Sequence, residues 1–264
     1  MLVDAISSVL VKYSLLTAFV LVAAIVWISS WAARWTKGRI HGSAIAIFIA
    51  LGLAGVGGLA TGGQQGVADY PLLAGVALLG GAMLRDLAIV ATAMGVSMDE
   101  FRRGGWVGML SLGIGLVLSF VIGGSCAYLC GYRDPVAITT IAAGAATYIV
   151  GPVTGTAIGA TSEWIALSVA TGLVKAILVM VLTPFAARWV GLDNPRSAMI
   201  FGGVMGTNSG VMAGLAATDP KLVPYGAMTA TFYTGLGCLL GPSLFLLGVR
   251  SLVAVFDPSW SGGP

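Results

Sequence analysis

Residues 136–160 read VAITTIAAGAATYIVGPVTGTAIGA, an uncharged run interrupted by Gly144, Gly151, Pro152, Gly155 and Gly159. Its length suffices to cross the hydrocarbon of a bilayer, which takes about 20 apolar residues. Its content argues against one straight helix. Proline removes a ladder hydrogen bond and clashes with the preceding turn, and glycine weakens a helix interior. Broken backbone at membrane depth is tolerated only where it meets protein or water. The stretch is therefore predicted to be broken or re-entrant. Whether it crosses once or turns back sets the orientation of everything that follows it.

The rest of the chain has the same apolar character. Only 9% of its 264 residues are charged, 58% are apolar and the mean hydropathy is +0.98. These values identify an all-α integral membrane protein. Eight hydrophobic segments are predicted, at about 14–31, 43–60, 71–95, 104–130, 136–160, 163–185, 197–217 and 225–249. Charge is confined to the breaks: Arg34, Lys37 and Arg39; Asp69; Asp99 to Arg103; Arg133 and Asp134; Arg188 to Arg196; Asp219 and Lys221. No soluble domain is expected. No cleaved signal pattern is seen, so the first segment is expected to stay in the membrane. The tryptophans at 27, 31, 35, 106, 164 and 189 mostly fall near segment ends, as an aromatic belt does.

Two internal matches divide the chain. IAIFIALGL (45–53) lies over IALSVATGL (165–173) with five identities in nine positions, and GGAMLRD (80–86) lies over GGVMGTN (202–208). Together they predict two transmembrane repeats, 1–132 and 133–264, a common plan among secondary transporters. The loop after the first segment carries three Lys or Arg and the loop after the third carries two, placing both in the cytoplasm. Placing the loop with Arg188 and Arg196 there too requires 136–160 to cross an even number of times. The charge pattern thus favours inverted repeats.

Ionisable groups inside membrane segments are costly and usually face a cavity or partner. Arg85 and Asp86 sit near the middle of the third segment, and neighbours on a helix project about 100° apart, so each needs a partner from elsewhere. A buried ion-pair network is the alternative use. Lys175 ends a stripe of Ser168, Thr171, Gly172 and Lys175 at helical spacing, which serves either close helix packing or an anion path. Thr207, Asn208 and Ser209 lie between Gly206 and Gly210, where unwinding would free oxygens and helix ends for ligands. TYIVGPVTG (147–155) reads the same way. His41, beside a basic loop, is expected to be solvated. Arg85 and Lys175 bring two positive charges against one from Asp86; a small dicarboxylate would leave −1, which a single sodium ion neutralises.

Several classes are excluded. A net charge of +3 is too small for nucleic acid. Cys126, Cys130 and Cys238 have no metal spacing, and no nucleophile–base pair, phosphate loop or cofactor fingerprint is present, so neither an enzyme nor a cofactor is expected.

HGSAIAI (41–47), GGAMLRDLAIVATA (80–93), TYIVGPVTG (147–155), NPRSAM (194–199) and GLAATDPKLVPYGAMTATFYTGLGCLLGPS (214–243) resemble the larger, M subunit of the bacterial malonate:sodium symporter, the MadM family. The resemblance runs from about residue 35 to 250. It implies a multi-pass inner-membrane protein that imports malonate by sodium symport together with a smaller L subunit. The site residues come from the placement of polar groups, not from the resemblance. Malonate is expected at Arg85, Lys175, Thr207, Asn208 and Ser209, and sodium at Asp86, Thr147, Gly151, Thr154 and Asn208, with one helical bundle moving against a scaffold. A membrane subunit of a sodium-pumping decarboxylase and a non-transporting assembly subunit are the rivals.

Overall fold

The computed structural model describes residues 2–35, 42–62, 66–80 and 98–256. Lys37, Arg39, His41, Arg85 and Asp86 lie outside the described residues. Every regular element among the described residues is helical, and the chain forms two compact units, Met1–Gly95 and Val96–Pro264. Among the described residues four helices are long and apolar enough to cross a membrane: Ser14–Trp35, Gly105–Leu129, Ser162–Ala186 and Pro220–Val255.

The first unit contains α1 (Leu2–Lys12), α2 (Ser14–Trp35), α3 (Gly42–Thr61) and the short α4 (Gly75–Gly80). Small residues set its spacing. A Cβ on Gly42 would lie 3.1 Å from the Ser30 Cα, and one on Gly75 would strike the Ser14 carbonyl. Trp27, Trp35 and Leu16 point outward, 71%, 75% and 67% exposed, the surface that a lipid-facing helix presents.

The second unit holds α5 (Met98–Leu129), α6 (Pro135–Ala146), α7 (Val150–Ala157), α8 (Ser162–Ala186), α9 (Pro195–Met205), α10 (Asn208–Ala216), α11 (Val223–Leu240) and α12 (Leu246–Phe256). Gly105, at φ 56°, kinks α5 near its start. A π-helical turn over Gly241–Phe245 joins α11 to α12 where Pro242 has no N–H to continue the ladder.

Stretch 136–160 breaks at 147–149 and turns back on itself. A Cβ on Gly151 would lie 2.9 Å from the Gly144 Cα, and one on Gly155 would lie 2.8 Å from the Thr140 Cγ2. In a straight helix those pairs would stand roughly 10 and 22 Å apart at 1.5 Å per residue. α6 and α7 are therefore the arms of a hairpin. Asp134 starts it, its Oδ1 accepting from the Val136 and Ala137 N–H groups, with Pro135 at the first helical position.

The segment expected to span at 197–217 is also broken. Gly206 takes φ 69° and ends α9, and α10 begins at Asn208. A Cβ on Gly226 would lie 3.3 Å from the Ala198 carbonyl oxygen and 3.0 Å from the Val211 Cγ1. A straight helix would hold residues 198 and 211 about 20 Å apart, so α9 and α10 also double back. Its entry repeats the first one: Asn194 caps α9 in a capping box with Ser197, and Pro195 follows. Asp134 and Asn194 stand 60 positions apart, as do Thr147 and Thr207 at the two tips.

With two hairpins, the second unit has a simple path. α5 runs from one end to the other, where α6–α7 dips in and returns. α8 carries the chain back, α9–α10 dips in from that opposite end, and α11–α12 completes the last crossing. Each hairpin arm is at most 12 residues, or about 18 Å. Both tips therefore stop near the middle of the unit, facing each other.

Candidate functional site

Lys175 lies between the two tips. Its Nζ donates to the Ala146 carbonyl at 2.9 Å, the last carbonyl of α6, to Ser119 Oγ at 2.9 Å on α5, and to the Tyr233 hydroxyl at 3.5 Å on α11. Those are three donors on three neutral acceptors, the full complement of an ammonium group. The Ala146 carbonyl also carries the negative end of the α6 dipole, which favours a cation there. Tyr233 is fully buried; its hydroxyl donates to the Gly115 carbonyl at 3.3 Å and its ring lies where a Cβ on Gly206 would be. One tyrosine thus touches α5, Lys175 and the tip of the second hairpin.

α8 reaches this place because its small residues allow close approach. A Cβ on Gly172 would strike the Tyr148 backbone nitrogen, and one on Gly144 would strike the Ser168 carbonyl. The stripe found in the sequence therefore divides. Ser168 and Gly172 pack against the first hairpin, Thr171 donates within its own helix to the Leu167 carbonyl at 2.9 Å, and only Lys175 points into the space between the tips.

The two tips differ chemically. At the first, Thr147 Oγ1 accepts from the Ile149 and Val150 N–H groups at 3.1 and 3.2 Å, which occupies both its lone pairs and caps α7. At the second, Thr207 stands at the N-cap of α10 with no side-chain cap bond. The buried hydroxyls of Thr207 and Ser209 have no hydrogen-bond partner. The Asn208 Nδ2 donates to Thr231 Oγ1 at 3.0 Å. Thr231 has one proton, and its bond to the Ala227 carbonyl at 2.9 Å is shorter than its 3.4 Å approach to Asn208 Oδ1. Asn208 Oδ1 is therefore left as an acceptor. Uncapped N–H groups at a helix start with idle hydroxyls beside them form a ready anion seat.

Of the expected substrate residues, Lys175, Thr207, Asn208 and Ser209 come to one place, joined across Tyr233 and Gly206; Arg85 lies outside the described residues. The expected sodium residues do not gather. Gly151 is pressed against Ser168, while Thr154 faces Gly241, where its Oγ1 finds no partner. Thr154 thus sits beside residue 241 and Asn208 beside residue 231, about 15 Å apart along one helix. Asp86 lies outside the described residues. Among the described residues no group of His, Cys, Asp or Glu could hold a metal, and Cys126 and Cys130 are free thiols.

The model of one protein family, the malonate/sodium symporter MadM subunit, matches residues 6–253. The chain belongs to this family. No curated protein and no solved structure matches it. A MadM subunit is a membrane subunit of a malonate/sodium symporter, and its apolar helices make this chain a multi-pass membrane protein. Ser119, Tyr233 and Thr231 are the members of this MadM site that the residue pattern did not single out. The usable signal was the run TATFYT at 229–234, which places Thr229 and Tyr233 one turn apart in an otherwise apolar segment.

Proposed function

We propose that the chain imports malonate by sodium symport, holding the substrate where the two hairpin tips meet. The observation that carries this is the convergence of both tips on Lys175. One carboxylate of malonate would draw the Lys175 ammonium from its neutral acceptors into a charge-assisted bond. The other would lie on the uncapped start of α10, assisted by Thr207, Ser209 and the Asn208 amide. The Asn208 Oδ1 would hold sodium with carbonyls freed at the breaks. The commitments of Thr147 and the distance of Thr154 speak for a smaller sodium set than the residue pattern suggested.

Orientation follows from charge. By the path of the second unit, Arg102, Arg103, Arg188, Arg196 and Lys221 share one end, against Arg133 and Arg250 at the other. The richer end would face the cytoplasm. A first hairpin that dips in from outside and a second that dips in from inside suit alternating access, each tip closing one route to the same central site. The starts of α3 and α8, residues 42 and 162, stand 120 positions apart, and residues 98 and 220 stand 122 apart. These are the two sequence registers and support a two-repeat plan of about eight segments; residues 98 and 220 start their crossings from the same end, so that pair does not carry the inverted orientation that the loop charges favour. A bacterial inner membrane and a smaller L subunit complete the proposal.

The deciding experiment places the chain and its smaller partner in proteoliposomes and follows labelled malonate under an inward sodium gradient. Accumulation that needs both subunits and collapses with the gradient is the expected result. Uptake by the partner alone would make this chain an assembly subunit, and release of carbon dioxide from malonate would point to the decarboxylase. The same assay tests the cation assignment. Asn208→Ala is expected to raise the sodium concentration for half-maximal uptake about tenfold, the worth of one lost ligand. An unchanged sodium curve would remove Asn208 from the cation site.

A further inference from the structure

A second cavity lies away from the hairpin tips. α12 packs on α6, and between α12 and α5 runs a slot of about 430 Å³. Phe120, Gly124 and Tyr128 form one wall, Ile138 lies between the helices, and Val249 and Val253 form the other wall. Phe120 to Tyr128 is eight residues of helix, so the slot extends about 12 Å from the end of α5 toward its middle. Along its open side Leu129 and Leu252 are 83% and 58% exposed.

Arg133 stands at its mouth. The Arg133 guanidinium stacks on the Tyr128 ring, 4.0 Å from its centroid, and its Nη1 donates to the Tyr128 and Tyr132 carbonyls. A guanidinium has five N–H groups, so three remain. Among the described residues no carboxylate pairs with it, and the neighbouring Asp134 uses Oδ1 to cap α6. An apolar slot with an unpaired cation at its membrane-boundary end matches a molecule with a long apolar chain and an anionic head.

We propose that this slot binds an acyl chain of an anionic phospholipid, with Arg133 holding the phosphate. Stacking on Tyr128 fixes the guanidinium plane at the mouth, and Gly124 gives the chain its depth. Lysophosphatidylglycerol, with one chain, should therefore bind as phosphatidylglycerol does, whereas glycerol phosphate, with the head alone, should not.

The full chain, purified in mild detergent and stripped of lipid, is titrated with phosphatidylglycerol, phosphatidylcholine, lysophosphatidylglycerol and glycerol phosphate, and adducts are counted by native mass spectrometry. Phosphatidylglycerol should be retained about fivefold over phosphatidylcholine, the worth of one basic residue near an anionic head. Arg133→Gln should erase that preference, Arg133→Lys should keep most of it, and Leu252→Trp, which fills the slot, should weaken both lipids. Equal retention of the two lipids by the wild type, or a preference that survives Arg133→Gln, overturns the proposal. So does a Ser125→Cys variant that cross-links to the smaller subunit through the slot, which would make a protein the occupant.

Discussion

Lys175→Gln is expected to lower malonate uptake at least about 30-fold while the variant still accumulates in the membrane as folded protein. Removing one partner of a buried charge pair costs about 2–5 kcal/mol, or roughly 30- to several thousand-fold in affinity. The glutamine amide can still donate to Ser119 Oγ and to the Ala146 carbonyl, so the two nearer of the three resting-state acceptors stay satisfied. Lys175→Leu cannot do this; it takes the donor from Ser119 Oγ and from the last carbonyl of α6 and leaves the Tyr233 hydroxyl with Gly115 alone. That variant is expected to lose stability as well as transport. Lys175 could instead serve only as a tie between α8, α5 and the first tip. The two roles separate in a thermal melt with and without malonate. A substrate ligand predicts that malonate stabilises the wild type and not Lys175→Gln. Equal stabilisation of both, or uptake within threefold of wild type, would sink the assignment.

The features legible in the sequence were those encoded locally. Glycine and proline signalled that 136–160 is not one straight helix, because they weaken a helix interior; the break itself falls at 147–149, with Gly144 inside α6 and Gly151, Pro152 and Gly155 inside α7. Lys175 stood out because a midspan cation is costly in any fold. The second break was partly visible in GTNSG, but its segment has the length of a span. Only the approach of Ala198 and Val211 to Gly226 reveals that it doubles back. The partners of Lys175 were not legible. Ser119 and Tyr233 lie 56 and 58 positions away, and each is an ordinary residue in its own segment. Ala146 contributes only a backbone carbonyl, which carries no sequence signal at all. The sodium set failed to gather for a related reason. Thr147 and Thr154 look like equivalent oxygens in the chain, yet one is consumed by capping its own helix while the other faces the next element.

Gly206→Ala is expected to be the most disruptive conservative change in the second unit, and a second glycine shows why. Gly159 and Gly206 both have positive φ, 76° and 69°. An alanine forced into that region costs about 1–2 kcal/mol. A Cβ on Gly159 meets nothing within 4 Å, so Gly159→Ala should cost that amount and leave uptake intact. A Cβ on Gly206 meets the ring of Tyr233, which is fully buried and held at its far end by Gly115 and Lys175. The ring cannot yield without releasing those bonds, and overpacking of this kind adds about 1–3 kcal/mol. Gly206→Ala should therefore melt well below Gly159→Ala in the same detergent and abolish uptake even where protein survives, because the tip and Lys175 are displaced together. Tyr233→Ala in the Gly206→Ala background removes the collision but not the backbone strain. It also leaves a cavity of its own, so the double variant should be less destabilised than the sum of the two single variants, without recovering transport, since Lys175 has then lost its brace. Equal melting of the two single variants would mean that the tip is not seated on Tyr233, and recovered transport in the double variant would mean that the brace is dispensable.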